Sequence, residues 1–165
     1  MLVKIRLLPY APAPQTMKIP SPPPDFDQLS AAANAPGASM DDKNALFAAV
    51  FRLKEWSFIA RGELPNVRPY VAANSTIVDG TPMLKAFTDS KRLHAFAKEN
   101  GLTGPDGGAQ ILAMPVATIL PTMPGFAEIG VSHILFNADN ESHGFYVPLV
   151  QLPIIRQHLE KHGLL

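Results

Sequence analysis

The stretch Pro82 to Leu102, PMLKAFTDSKRLHAFAKENGL, constrains the fold more than any other part of the chain. A short apolar strand runs directly into an amphipathic helix whose start and stop are both written in side chains. Asp89, or Thr88 beside it, supplies an oxygen for the unpaired N–H groups of the first helical turn. Leu93, Phe96 and Ala97 then share one face. Gly101 suits the left-handed residue that ends a helix, and Leu102 the apolar residue that folds back behind it. The capped N-terminus of such a helix can bind an anion, but Asp89 already offers those N–H groups a negative acceptor. The stretch therefore reads as a structural hinge with Phe87 and Phe96 in the core.

The strand that enters this helix is preceded by Asp79-Gly80, a pair suited to the positive φ values of a tight hairpin turn. The spacing predicts a hairpin of Tyr70 to Val78 with Thr81 to Phe87. Upstream, Trp56, Phe58 and Ala60 alternate with Ser57, Ile59 and Arg61, which predicts a half-buried strand. Before it, Ser39 and Asp42 have the spacing of a capping box, and Leu46, Val50 and Leu53 form the stripe of a helix over about 41 to 54. Phe26 to Ala33 adds at most a helical turn before Pro36 and Gly37.

Downstream, QILAMPV is a short strand ended by Pro115, and Ala117 to Leu120 a single turn closed off by Pro121 and Pro124. GVSHILFN (130 to 137) is a buried strand paired in a hairpin with Phe145-Tyr146-Val147. A last helix begins near Pro153, turns Ile155 and Leu159 inward and stops at Gly163. The expected fold is an α+β domain over 41–165, with a mostly antiparallel sheet of about five strands packed by two to three helices. Residues 1–40 form an extended proline-rich arm or linker, because residues 9 to 24 hold seven of the seventeen prolines and proline removes donors and fixes φ. Val3, Ile5 and Leu7 alternate as an edge strand would.

At 165 residues the chain can bury roughly 70% of its unfolded surface without staples. Fourteen basic residues balance fourteen acidic ones, so no global field gathers nucleic acid or an anionic membrane. No cysteine is present, which excludes a thiolate nucleophile and fits a cytoplasmic location. No window approaches the about 18 to 20 apolar residues of a membrane span, so membrane insertion is not expected.

The succession W-S-F-I-A, then P-M-L-K-A-F-T-D-S-K-R-L-H-A-F-A, I-L-A-M-P and I-L-F-N-A-D before a closing helix resembles the SseB N-terminal domain family over about residues 41 to 162. Phe87-Thr88-Asp89 followed by Arg92-Leu93-His94-Ala95-Phe96 carries the likeness. Phe136-Asn137-Ala138-Asp139 stands where the family has an asparagine turn. The resemblance implies the α+β fold, and a binding or regulatory module rather than an enzyme.

The residues agree with that implication. His158 and His162 are spaced for one metal, but no third ligand accompanies them. The densest polar cluster is Asn137, Asp139, Asn140, Glu141 and His143, which suits a turn held by side-chain-to-backbone hydrogen bonds better than a calcium loop. Together with His133, the polar residues Asn137, Asp139 and His143 form the candidate site of an alternative reading, a small-molecule sensor or weak hydrolase. No cofactor is expected. Hydrophobic residues make up 47% of the chain and charged ones 17%, a surplus that points to a protein partner or self-association through exposed apolar surface.

Overall fold

The computed structural model describes residues 22–73, 80–140 and 142–165. The expected edge strand near Val3 and most of the proline-rich stretch lie outside them. Packing begins earlier than the boundary at 41. Helix α1 (Phe26–Asn34) is capped by Asp25, whose Oδ1 accepts from the N–H groups of Asp27 and Gln28 at 3.1 Å. It buries Phe26, Ser30 and Ala33, and Phe26 and Ala33 join the main core. Helix α2 (Met40–Phe51) opens with the expected capping box. Ser39 N–H donates to Asp42 Oδ2 at 2.8 Å, and Asp42 N–H to Ser39 Oγ at 3.1 Å, so two orphan donors are satisfied reciprocally.

Strand β1 (Glu55–Arg61) follows, and it is buried on both faces, not half-buried: Trp56, Ser57, Phe58 and Ile59 are all inaccessible. Trp56 and Phe58 enter the core with α1 and α2, whereas Ile59 packs with the helix on the opposite face. Trp56 meets its polar requirement by donating Nε1–H to the carbonyl of Val50 at 3.1 Å. A strand with apolar partners on both sides can be central, and β1 is.

Next come β2 (Arg68–Pro69), β3 (Val71–Ala73) and β4 (Pro82–Phe87). The hairpin of β3 with β4 exists in a register unlike the expected one. Ala73 pairs with Pro82, whereas a two-residue turn at 79–80 would pair Ile77 with Pro82. Asp79 itself is outside the described residues. The reason for the shift is that β1 also pairs with β4, through Ser57 with Phe87 and Phe58 with Ala86, and this contact consumes the far end of β4. Beyond those pairs the two strands diverge. The fork is filled by residues 68–73, of which β2 pairs with β1 and β3 with β4. Tyr70 sits at the branch, its N–H donating to Ile59 O at 2.8 Å and its carbonyl accepting from Lys85 N–H at 3.3 Å.

Helix α3 (Ser90–Glu99) has the predicted cap, Asp89 Oδ1 accepting from Arg92 N–H at 3.0 Å. It has the predicted stop as well: Gly101 takes φ +64° and Leu102 N–H donates to Ala97 O at 2.8 Å, the six-residue bond of a Schellman ending. Strand β5 (Ile111–Pro115) pairs with β1 on the side away from β4. The expected single turn after it is longer. Helix α4 (Val116–Ile119), a 3₁₀ turn (Leu120–Thr122) and α5 (Met123–Glu128) run on without a break. Pro121 and Pro124 continue this run because each falls in the first turn of its segment, where a missing N–H leaves no hydrogen bond unmade.

Strands β6 (His133–Phe136) and β7 (Phe145–Pro148) form the expected antiparallel hairpin. β6 also lies parallel to β4, with Lys85 opposite Leu135 and Ala86 opposite Phe136. A 3₁₀ turn (Leu149–Gln151) leads into α6 (Leu152–Lys161), which ends at Gly163 with φ +67°. Among the described residues seven strands thus make one mixed sheet that is mostly antiparallel, with the core order β5-β1-β4-β6-β7. The α+β class holds.

Two apolar clusters sit on opposite faces. The larger joins Trp56, Phe58, Leu84, Ala86, Ile134, Phe136, Phe145 and Val147 to α1, α2 and α6. The smaller joins Ile59 and Phe87 to Leu93, Phe96 and Ala97 of α3. No helix among the described residues is long and apolar enough to cross a membrane.

Candidate functional site

The polar residues of the chain converge where the parallel strands β4 and β6 both end. Strand β6 runs directly into Asn137, which adopts φ +54°, a left-handed conformation that asparagine tolerates better than most residues. Its side chain is fully buried. Oδ1 accepts the backbone N–H of Thr88 at 3.0 Å and the Thr88 hydroxyl at 3.1 Å, so one amide satisfies two groups at the β4–α3 junction.

Two residues on, Asp139 turns toward α3, where Arg92 Nη1 donates to its Oδ2 at 3.2 Å. Arg92 Nη2 donates to Asp27 Oδ1 of α1 at 2.6 Å, and its Nε lies 3.6 Å from Asp89 Oδ2. One guanidinium therefore faces three carboxylates drawn from α1, the α3 cap and the β6–β7 loop. It ties the helices of the two sheet faces together around the strand ends. Burial works against its charge, but the carboxylates outweigh burial and hold its pKa above the ordinary value. Burial is also the largest influence on Asp139 and raises its pKa, against the opposing pull of Arg92. Asn137 Nδ2 and Asp139 Oδ1 are buried without a hydrogen-bond partner. A cleft of about 410 Å³ adjoins the cluster, lined by Asp27, Asp89, Lys91, Arg92, Asp139 and Asn140.

His143 belongs to the same loop but serves its own turn. Its Nδ1 lies 2.8 Å from Asn140 Nδ2, and Asn140 Oδ1 accepts from Ser142 N–H at 3.0 Å. The Asn140 carbonyl accepts from the N–H groups of His143 and Gly144 at 3.1 and 2.8 Å. Only the Ser142 bond is of the side-chain-to-backbone kind expected of such a loop; the rest of the turn is held by backbone bonds to the Asn140 carbonyl and by the Asn140–His143 side-chain pair. Glu141 is outside the described residues. His133 stands apart. It opens β6 where Asn137 follows its end, four residues and about 13 Å away at the usual rise per residue. There its Nδ1 is 2.6 Å from Ser132 Oγ, and its ring meets Tyr146 edge-on at 5.6 Å. The fold thus gathers Asn137 and Asp139 and places His133 at the opposite end of the strand.

Two residues that matter here were not read as site residues from the sequence. Arg92 reads as part of a solvated helix face, and only its position three residues after the Asp89 cap hints at an ion pair. Lys85 occupies an inward position of an otherwise apolar strand, and that interruption was the available signal. It is 3% exposed, and burial alone depresses its pKa from 10.5 to about 8. The rings of His158 and His162 lie 4.3 Å apart. No group of three or more His, Asp or Glu side chains among the described residues is placed to hold a metal ion.

Compared with known proteins, the chain matches no family model, no curated protein and no solved structure.

Proposed function

We propose that the domain is a non-enzymatic interaction or regulatory module that engages a protein partner, a second copy of itself included. The observation that carries this reading is apolar surface at the β7 end of the sheet. Val150 and Ile154 are 67% and 65% exposed, and their i, i+4 spacing places them on one side of the turn leading into α6. Ile129, 76% exposed, closes α5, which packs against that same turn. Large side chains left in water beside a short edge strand are what a partner covers. The polar loop supports the reading in a second way, since Asn137, Asp139 and His143 are engaged by Thr88, Arg92 and Asn140. The resemblance to the SseB N-terminal domain family and a cytoplasmic location fit the same role.

Light scattering across a concentration series tests it. Wild type is expected to gain mass with concentration, and Val150→Glu with Ile154→Glu to remain at monomer mass. A wild-type chain that stays monomeric throughout and shows no chemical-shift change confined to Ile129, Val150 and Ile154 on concentration overturns self-association through this patch.

A further inference from the structure

We propose that the cleft where α2, α6 and the β5–α4 junction meet is a second interaction surface, one that takes an acidic segment of another protein with an apolar side chain between its carboxylates. The cleft has a volume of about 450 Å³. Backbone bonds fix its walls. Arg52 N–H donates to Ala48 O at 3.0 Å at the end of α2, Val116 N–H donates to Lys54 O at 3.3 Å and ties the start of α4 to the turn before β1, and Leu164 N–H donates to Leu159 O at 2.9 Å and turns the chain back beyond α6. Leu53, Pro115, Ala117 and Leu165 supply apolar lining. Leu53 is half-buried and the other three are exposed, so this lining is open to a ligand.

Arg52, Lys54 and Arg156 also line the cleft, against the single carboxylate of Glu160. Arg156 Nε donates to that carboxylate at 2.8 Å. Arg52 and Lys54 are exposed and, among the described residues, in no ion pair. A cation after the last turn of α2 complements the helix end, but that end carries only about half a charge. The cleft beside Arg92 is the opposite case, because three carboxylates there already face the guanidinium. A chain whose charges balance overall thus keeps a local positive excess at the end of α2.

Exposed cations beside an open apolar lining decide the ligand. An inorganic anion would meet only screened charge at the rim. A protein segment uses both parts, setting carboxylates against Arg52 and Lys54 and an apolar side chain against Leu53, Ala117 and Leu165. A smaller cleft of about 260 Å³, bordered by Pro22, Pro24 and Ala49, shares Arg52 and Leu53 with the first, so the surface continues along α2 and suits an extended chain. This protein does not supply that chain from its own N-terminus: residues 1–21 contain Lys4, Arg6 and Lys18 and no acidic residue. Asp25, Asp27 and Asp42 are engaged by the α1 cap, Arg92 and the α2 cap, which favours a different protein over a second copy. Arg156 follows Ile154 by two residues, about 200° round α6, so this surface is separate from the Val150–Ile154 patch.

The probe is the blocked peptide acetyl-Glu-Asp-Leu-Phe-Asp-Glu-amide, its control the isosteric acetyl-Gln-Asn-Leu-Phe-Asn-Gln-amide, and the readout the ¹H–¹⁵N correlations of the full chain. The acidic peptide is expected to shift Arg52, Leu53, Lys54, Val116 and Ala117 saturably, with affinity falling severalfold from about 50 to about 200 mM salt, and the amide peptide to bind at least tenfold more weakly. Arg52→Glu with Lys54→Glu is expected to weaken the acidic peptide at least tenfold. Val150→Glu with Ile154→Glu is expected to leave its affinity unchanged, so that failure here and failure of self-association are told apart. No saturable shift at the cleft residues in millimolar acidic peptide overturns the proposal. So does equal binding of the two peptides, because the contact is then apolar only, or full affinity in the charge-reversed variant. Loss of affinity on Val150→Glu with Ile154→Glu also overturns it, since the peptide then sits on the other patch. The wild-type comparison of the two peptides decides the question even where a variant fails to fold.

Discussion

Asn137 Oδ1 accepts both the backbone N–H and the hydroxyl of Thr88, at 3.0 and 3.1 Å, across 49 residues of sequence. This one amide closes the end of the parallel β4–β6 pair and delivers the chain into α3. Asn137→Ala is expected to cost about 2 to 3 kcal/mol, from an unsatisfied N–H beside β4 and a Cβ residue held at positive φ. Asn137→Gly loses the same acceptor without the backbone strain and is expected to cost about 1 kcal/mol less. Urea unfolding of the two variants separates the terms.

Arg92 has the opposite character, one cation serving carboxylates that reach it from 47 and 65 residues away. Arg92→Met leaves Asp27, Asp89 and Asp139 facing one another and is expected to cost about 2 kcal/mol, discounted from a fully buried pair because Asp27 and Asp89 touch solvent. Asp139→Asn is expected to cost less than Arg92→Met, because it also relieves a carboxylate whose burial is unfavourable. Denaturant midpoints at neutral pH rank the two.

The pH dependence of Asp139 follows from its raised pKa. Between the unfolded value of 3.8 and the higher folded value, the folded state binds the proton more tightly, so this group adds stability as pH falls through that window. Wild type is therefore expected to gain on Asp139→Asn as the solution is acidified from pH 6 toward 3.8. Parallel unfolding curves over that range would refute the assignment.

Lys85 behaves inversely on the alkaline side. Its folded pKa of about 8 lies below 10.5, so the folded state prefers the neutral amine, and the penalty is complete below pH 8 and vanishes above 10.5. Lys85→Met is expected to be more stable than wild type at pH 7 by about 2 kcal/mol, the full shift being discounted for solvent relaxation. That advantage should disappear between pH 8 and 10.5 in thermal unfolding.

Gly101→Ala isolates a backbone effect. Gly101 holds φ +64° and a Cβ there would meet nothing within 4 Å. The expected loss of about 1 kcal/mol is conformational alone, and Gly101→Asn should recover part of it. Urea midpoints of the two variants give the comparison.

Local chemistry accounts for what could be read before folding. The Ser39–Asp42 box, the Asp89 cap, the Gly101–Leu102 stop and the end of β5 at Pro115 all depend on groups within about six residues. Such interactions form in much the same way wherever the segment ends up. The α+β class was legible for the same reason, since it follows from the order of 2.0 and 3.6 periodicities. The loop from Asn137 to His143 was legible as a polar turn but not as the partner of α1 and α3.

The rest was settled by pairings that no short window contains. A tight turn at Asp79-Gly80 would set residues 72 and 73 against Phe87 and Ala86, but β1 takes those two positions on the same edge of β4, and β3 pairs with Pro82 to Leu84 instead. Trp56 to Ile59 became a two-faced central strand only because α3 returned to the side opposite α2. Lys85, in a strand whose alternation says nothing about charge, became a buried lysine only when the sheet was assembled around it. Caps, stops and periods are hydrogen bonds and surfaces that a segment carries with it. Register, layer and the burial of a single lysine are set by which distant segments arrive, and only the assembled sheet decides that.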